Sequence, residues 1–220
     1  MSSVFNLEKV GAPLFEAVGV DALKKHMRVS HSADDDYIGI LSVAAREQVE
    51  KDFNIALVGQ EYNLHLENGF YHFYYLMHGH YPAVYNFNWA YYFPRFHIPI
   101  EPVSKDYAVT ITYTDLSNTQ QTFNSSNYVV KYWKSPPEVM LLPSITLPSI
   151  APGADIIVNF TAGFVNTGAV STAPKLLCQA IQLLVAAWYE QREPVSESLV
   201  RPVPLSYDRI KQIIQVKRFW

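Results

Sequence analysis

The chain has 220 residues, 49% of them hydrophobic and 17% charged, with a formal net charge of -3 and 15 Tyr, 12 Phe and 4 Trp. This composition excludes a disordered tail, and the slightly acidic balance speaks against wholesale nucleic-acid wrapping, which needs a basic surplus, while leaving room for a local basic patch. A charged share below the roughly 25% usual for soluble proteins, joined to abundant aromatics, is the pattern of surface reserved for neighbouring subunits.

The opening MSSVFNLEKVG has no basic stretch followed by an apolar run, so no signal peptide is expected there. The longest apolar segment, Leu176–Trp188, is interrupted by Gln179 and Gln182 and falls short of the ~18 residues of a membrane span. A cytoplasmic site of synthesis and no membrane partner are expected. The single Cys178 sits in this apolar stretch, reads as a buried small side chain, and cannot form an internal disulfide.

The first third reads as helical. Asp21–Arg28 forms a short helix with Asp21 able to cap it. A longer helix follows over about 34–54, with Ser32 as N-cap and Asp34, Asp35 and Asp36 placing negative charge in its first turn, where the helix dipole favours it. A metal site on the three Asp residues is the other reading, but the helix start needs no further ligand. Ile38, Leu41, Ala45, Val49 and Phe53 recur at three- and four-residue spacing as one buried stripe. Arg46, Glu47, Glu50 and Lys51 lie off that stripe and are expected to face solvent or a neighbouring subunit.

From about 60 to 163 the pattern has period two. Tyr107–Thr114 alternates as a half-buried strand, Asp115–Asn118 is a turn, Gln121–Phe123 starts the return strand, and Tyr128–Trp133 is another. Met140–Ile150 contains Pro143 and Pro148, so a strand there is expected to be short or at an edge. Ala154–Thr161 is the last good strand. Helical patterning then returns: Pro174 suits a first turn, Lys175–Arg192 carries Leu177, Ile181, Leu184 and Trp188 on one face, and Pro194 stops it. After a Pro-containing linker, Tyr207 to about Lys217 forms a last helix with Ile210, Ile213 and Ile214 on one side. The expected class is α+β: a helical bundle from the two ends, with an inserted antiparallel β region.

No Gly-rich phosphate loop, H-E-x-x-H or G-x-S-x-G is present, so no enzymatic activity and no cofactor are expected. Five histidines fall in one stretch: His65, His72, His78, His80 and His97. His78 and His80 stand on alternate residues and form the weak metal candidate, but only Glu61, Glu67 and Glu101 lie nearby to complete it. The same stretch holds two aromatic runs, Phe70–Tyr75 and Tyr85–Phe93, joined by Met77–Pro82 and almost free of charge. They read as a long β-hairpin within about 64–98. Tyr74, Tyr75, Tyr85, Phe87, Trp89 and Tyr91 are its candidate contacts to a neighbouring subunit or the tail, because Tyr and Trp give large, fairly rigid contact area. An ordinary packed sheet face and a glycan-binding virion module are the other readings of these aromatics.

Five segments, in order, carry a resemblance. They are Asp21–Val29; Asp34–Glu50 (DDDYIGILSVAAREQVE); Val158–Phe164 (VNFTAGF); Pro174 with Gln179–Glu193 (QAIQLLVAAWYEQRE); and Tyr207–Ile214 (YDRIKQII). Together they cover less than half the chain, and it resembles the head–tail connector (adaptor, or head-completion) family of long-tailed bacteriophages. Leu64–Ile98 departs from that pattern as an insertion, and the ending Lys-Arg-Phe-Trp has no counterpart in it. The resemblance implies a structural virion protein of the neck, assembled in the host cytoplasm. It would be a ring of about a dozen copies, which needs two complementary faces per subunit. The ring would sit below the portal protein, continue the channel through which packaged DNA passes without sequence-specific binding, and dock a tail-completion or tail-terminator protein.

On this reading residues 1–59 are the N-terminal helices of the connector bundle, 60–165 the inserted β region, and 166–220 the C-terminal helices and a portal-binding arm. The arm candidates are Ile210, Ile213, Ile214, Lys217, Arg218, Phe219 and Trp220. Deleting Arg201–Trp220 is then expected to remove portal attachment and leave the fold.

Overall fold

A computed structural model describes residues 5–13, 15–66, 95–142, 145, 147–164, 166–167, 170–191 and 205–216. Among them are four α-helices and antiparallel sheets, so the chain is α+β. It divides into two compact units, a β-rich one of Met1–Ala12 with Gln60–Ala162 and a helical one of Pro13–Gly59 with Gly163–Trp220.

The β-rich unit holds a five-stranded sheet in the order β1-β2-β8-β4-β5 and a three-stranded sheet β3-β7-β6. The strands are β1 Phe5–Val10, β2 Gln60–Leu66, β3 Arg95–His97, β4 Thr110–Thr114, β5 Gln120–Thr122, β6 Tyr128–Lys131, β7 Glu138–Leu141 and β8 Ile156–Ala162. Alternation explains which side of each strand is buried. Tyr62, Leu64 and Leu66 on β2 are opposite Phe160, Val158 and Ile156 on β8, and all six are buried. The Tyr62 and Phe160 rings stack at 5.6 Å. In the smaller sheet Phe96, Val139 and Leu141 are buried. Tyr128 is buried as well, and its hydroxyl donates to the Val109 carbonyl at 2.6 Å.

The strand near Met140 is short, as expected: it spans the four residues Glu138–Leu141, ahead of Pro143, and lies between β3 and β6 in its sheet. The two aromatic runs read as a hairpin, Phe70–Tyr75 and Tyr85–Phe93, lie outside the described residues; of their flanks, Leu64–Leu66 pair in the larger sheet and Arg95–His97 in the smaller. β1 is a strand that the sequence pattern does not announce.

The helical unit holds α1 Val20–Met27, α2 Asp35–Phe53, α3 Lys175–Glu190 and α4 Leu205–Val216, with a short antiparallel pair of β9 Asn166–Thr167 and β10 Val170–Ser171. One core serves all four helices: Leu23 from α1, the stripe Ile38, Leu41, Ala45, Val49 and Phe53 from α2, Leu177, Ala180, Ile181, Leu184 and Val185 from α3, and Tyr207 and Ile210 from α4. Each large apolar side chain so buried contributes roughly 1.5–3 kcal/mol. The five-residue stripe on α2 is therefore the one the spacing predicts.

The helix starts differ from expectation. Gly19 and Asp34 are the N-caps, and neither makes a side-chain cap bond. Asp21 sits inside the first turn, and Ser32 contributes only its carbonyl, which accepts from the Asp35 N–H at 3.2 Å. The acidic triplet is used in pairs instead: the Tyr189 hydroxyl donates to Asp34 at 2.6 Å, and Lys24 to Asp35 at 2.7 Å.

Arg46 and Glu50 are the clearest correction. Both are buried, at 2% and 6% exposure. Arg46 Nε donates to Glu16 at 2.7 Å and Nη1 to Glu50 at 2.8 Å, while the other Glu50 oxygen accepts from the Leu57 N–H at 2.9 Å. Chain outside the helix covers the flank that helical periodicity assigns to solvent. Glu47 and Lys51 are exposed, as expected.

Candidate functional site

Helix α4 carries the sequence-predicted arm residues that the structure describes. Tyr207 and Ile210 recur at three-residue spacing and reach the helical core, with Ile214 partly buried against it. The Tyr207 hydroxyl donates to Asp52 Oδ2 at 2.7 Å, Lys211 Nζ lies 3.1 Å from Oδ1, and the Tyr207 and Phe53 rings are 6.5 Å apart. Burial alone would raise the Asp52 carboxyl, but bonds from Tyr207, Gln48 and Lys211 outweigh it and hold the group below its ordinary value. Burial, and then the Asp52 carboxylate, push the Tyr207 hydroxyl up. Ile213 points elsewhere and is 41% exposed. So Ile210 is committed to the unit's own core and Ile213 is available to a partner. Tyr207→Phe is expected to cost about 1–2 kcal/mol in urea unfolding, by leaving Asp52 short of a donor.

A second constellation lies on the smaller sheet and was not singled out from sequence. Glu138 is 1% exposed, yet it sits on the sheet face opposite Val139 and Phe96. Four cationic or basic side chains surround its carboxylate: Lys131 and Lys134 at 2.8 Å, His97 at 3.7 Å and Arg95 at 3.9 Å. Register explains this, since His97, Glu138 and Lys131 are direct cross-strand neighbours. The signal in the sequence was weak because its parts, Arg95–His97, Lys131–Lys134 and Glu138, lie far apart along the chain.

Burial alone would raise the Glu138 carboxyl, but the hydrogen bonds and charges of Lys131 and Lys134 bring it down to about 2. A depressed carboxylate stabilises the fold above its unfolded value near 4.5, and that contribution is lost as pH falls toward 2. Allowing for the partly exposed lysines, it is about 2 kcal/mol. Glu138→Gln is expected to flatten the loss of stability between about pH 5 and 2, read by denaturant midpoints across that range.

The remaining sequence-predicted residues lie outside the described residues: Tyr74, Tyr75, Tyr85, Phe87, Trp89 and Tyr91, the histidines His78 and His80, and Lys217, Arg218, Phe219 and Trp220. His65 and His97 are described and stand in different sheets, His65 beside Glu8 at 3.1 Å and His97 beside Glu138. Cys178 is half-buried and burial pushes its thiol up, which suits a packing residue. Among the described residues no helix is long and apolar enough to cross a membrane.

No protein-family description matches the sequence, and no curated protein matches it. Solved structures do. A chain in the neck of an empty gene transfer agent (GTA) particle, computed with C6 symmetry, matches with a TM-score of 0.67 and 21% identity over 95% of this chain and 94% of that one. A chain in the virion of a native GTA particle matches with a TM-score of 0.64 and 20% identity over 94% and 93%. A third, in the neck of a native GTA particle computed with C12 symmetry, gives 0.62 and 21% over 95% and 94%. Similarity of this kind, across nearly the whole of both chains, means that this protein has the fold of a chain from the neck of phage-like particles, consistent with the connector resemblance of its helices.

Proposed function

We propose that the chain is a non-enzymatic structural subunit of a virion neck. It forms the head–tail connector ring below the portal, extends the DNA channel, and offers a docking face to a tail-completion or tail-terminator protein. The observation that carries this reading is the near-full-length fold match to chains in particle necks. The C6 and C12 symmetries belong to those particles, and they support a ring of copies here. The order of the resembling helices agrees with it.

Within that ring, the helices of the two chain ends form the bundle from which the ring is built. The aromatic segment within 64–98 is a contact to a neighbouring copy or the tail, and the C-terminal residues are the portal-binding arm. Because Tyr207 and Ile210 belong to the helical core, deleting all of Arg201–Trp220 is expected to weaken the fold as well as the attachment. A sharper variant removes only Lys217–Trp220 and adds Ile213→Asp. It is expected to keep its melting temperature and lose portal binding in a pull-down. Unchanged binding would remove the arm assignment.

The neck assignment itself is tested by imaging purified virions labelled on this chain. Label confined to the junction of head and tail is the expected result, and label elsewhere overturns the reading.

A further inference from the structure

Charge in the β-rich unit is segregated. The unit carries eight Asp or Glu and five Lys or Arg. Three of those five cations, Arg95, Lys131 and Lys134, lie within 3.9 Å of the one carboxylate Glu138, with His97 beside them. Arg95, His97 and Lys134 are 47%, 53% and 40% exposed at their side chains, so the positive surplus meets solvent while the carboxylate does not. Trp133, 74% exposed, and Val129, 38% exposed, belong to the same strand and turn as Lys131 and Lys134. At the rim, the Ser135 hydroxyl donates to Glu101 at 3.1 Å.

The five-stranded sheet has the opposite character. By register Glu8 on β1 and Glu61, Asn63 and His65 on β2 occupy its outer face, away from Tyr62 and Leu64. Asp155, just before β8, lies 3.9 Å from His65. Glu8 and Glu61 are exposed, and Asn159 donates to Glu61 at 2.6 Å and to Asn63 at 2.9 Å, which holds that carboxylate in place. Lys9 pairs with Tyr62 and so takes the register position of the other face.

We propose that copies of this chain associate head to tail through the β-rich unit, the cationic face of β3-β7-β6 on one copy meeting the acidic face of β1-β2-β8 on the next. A heterologous contact that closes into a ring needs two different, complementary patches on one subunit, and this unit supplies them with opposite sign. Trp133 provides apolar anchor area beside the cations, and Trp and Arg are residue types in which binding energy concentrates. A nucleic-acid backbone would account for the cations but would be repelled by the acidic face. The contact deepens the ring reading by naming its residues.

The test is sedimentation velocity on the purified full chain in about 50 mM and about 500 mM salt, where screening differs several-fold. Wild type is expected to associate at low salt and dissociate at high salt. Glu8→Lys with Glu61→Lys, and separately Arg95→Glu, are each expected to weaken association by about tenfold or more. Mixing the two variants restores it, because one then presents acidic faces and the other cationic ones. Arg95 stands on an edge strand and Glu8 and Glu61 are exposed, and thermal melts confirm that each variant is folded. If a variant does not fold, the wild-type salt dependence and the other variant decide. A monomer at every concentration and salt overturns the proposal, as does failure of the mixture to associate. Binding of a labelled DNA duplex that is lost in Arg95→Glu, without copy-to-copy association, replaces it with a nucleic-acid surface. None of these readouts depends on where the protein sits in a virion, so the interface can fail while the neck reading stands.

Discussion

Gly163→Ala is expected to cost more than about 4 kcal/mol, and to leave little soluble protein, because two penalties fall on one atom. Gly163 has φ of +119°, a conformation that L side chains rarely adopt. A Cβ built there runs into the backbone of Val58 and Gly59. Backbone cannot swing aside as a flexible side chain would, so either the chain at 58–59 or the exit from β8 has to move. Gly39 supplies the control. It lies inside α2 with nothing within 4 Å of an added Cβ. Gly39→Ala is therefore expected to raise stability by about 0.5–1 kcal/mol. Soluble yield and urea midpoints of the two variants check both signs.

Arg46→Ala is expected to destabilise the helical unit by about 3–5 kcal/mol. The loss comes less from the ion pairs than from what remains: Glu50, buried, would keep one oxygen on the Leu57 N–H and lose the guanidinium from the other. Burial by itself would lower the Arg46 pKa, but the Glu16 bond and the charges of Glu50, Glu16 and Glu47 outweigh it and raise it. Combining Arg46→Met with Glu50→Gln removes both charges and keeps an acceptor for Leu57, so the pair is expected to recover a large part of the loss. A double-mutant cycle read by urea denaturation measures the coupling. Additive losses would show that the two side chains act separately.

What could be read from the sequence follows from the range of each interaction. The α2 stripe and the strands after Thr110 were legible because helix and strand periods act locally. The burial of Arg46 was not, because its cover comes from Glu16 and from the turn at Leu57, and neither leaves a mark on the helix pattern. The Glu138 cluster was missed for the same reason, its cations arriving from β3, β6 and the turn after β6. Of the arm residues, Ile210, Ile213 and Ile214 share one side in the sequence pattern, yet only the structure separates buried Ile210 from exposed Ile213. The aromatic segment falls outside the described residues.

The position of β8 in the larger sheet has a consequence for how the chain is made. β8 is the last strand of that sheet to emerge from the ribosome, yet it hydrogen-bonds β2 on one side and β4 on the other. Until Ile156–Ala162 is synthesised, β1-β2 and β4-β5 can form only as separate two-stranded pairs with open edges. Two-stranded pairs are marginal in water, and contacts between distant residues form slowly. The helical unit waits longer still, since α1 and α2 find their core only when α3 follows. Both units therefore close only when later chain arrives, β8 for the larger sheet and α3 for the helices.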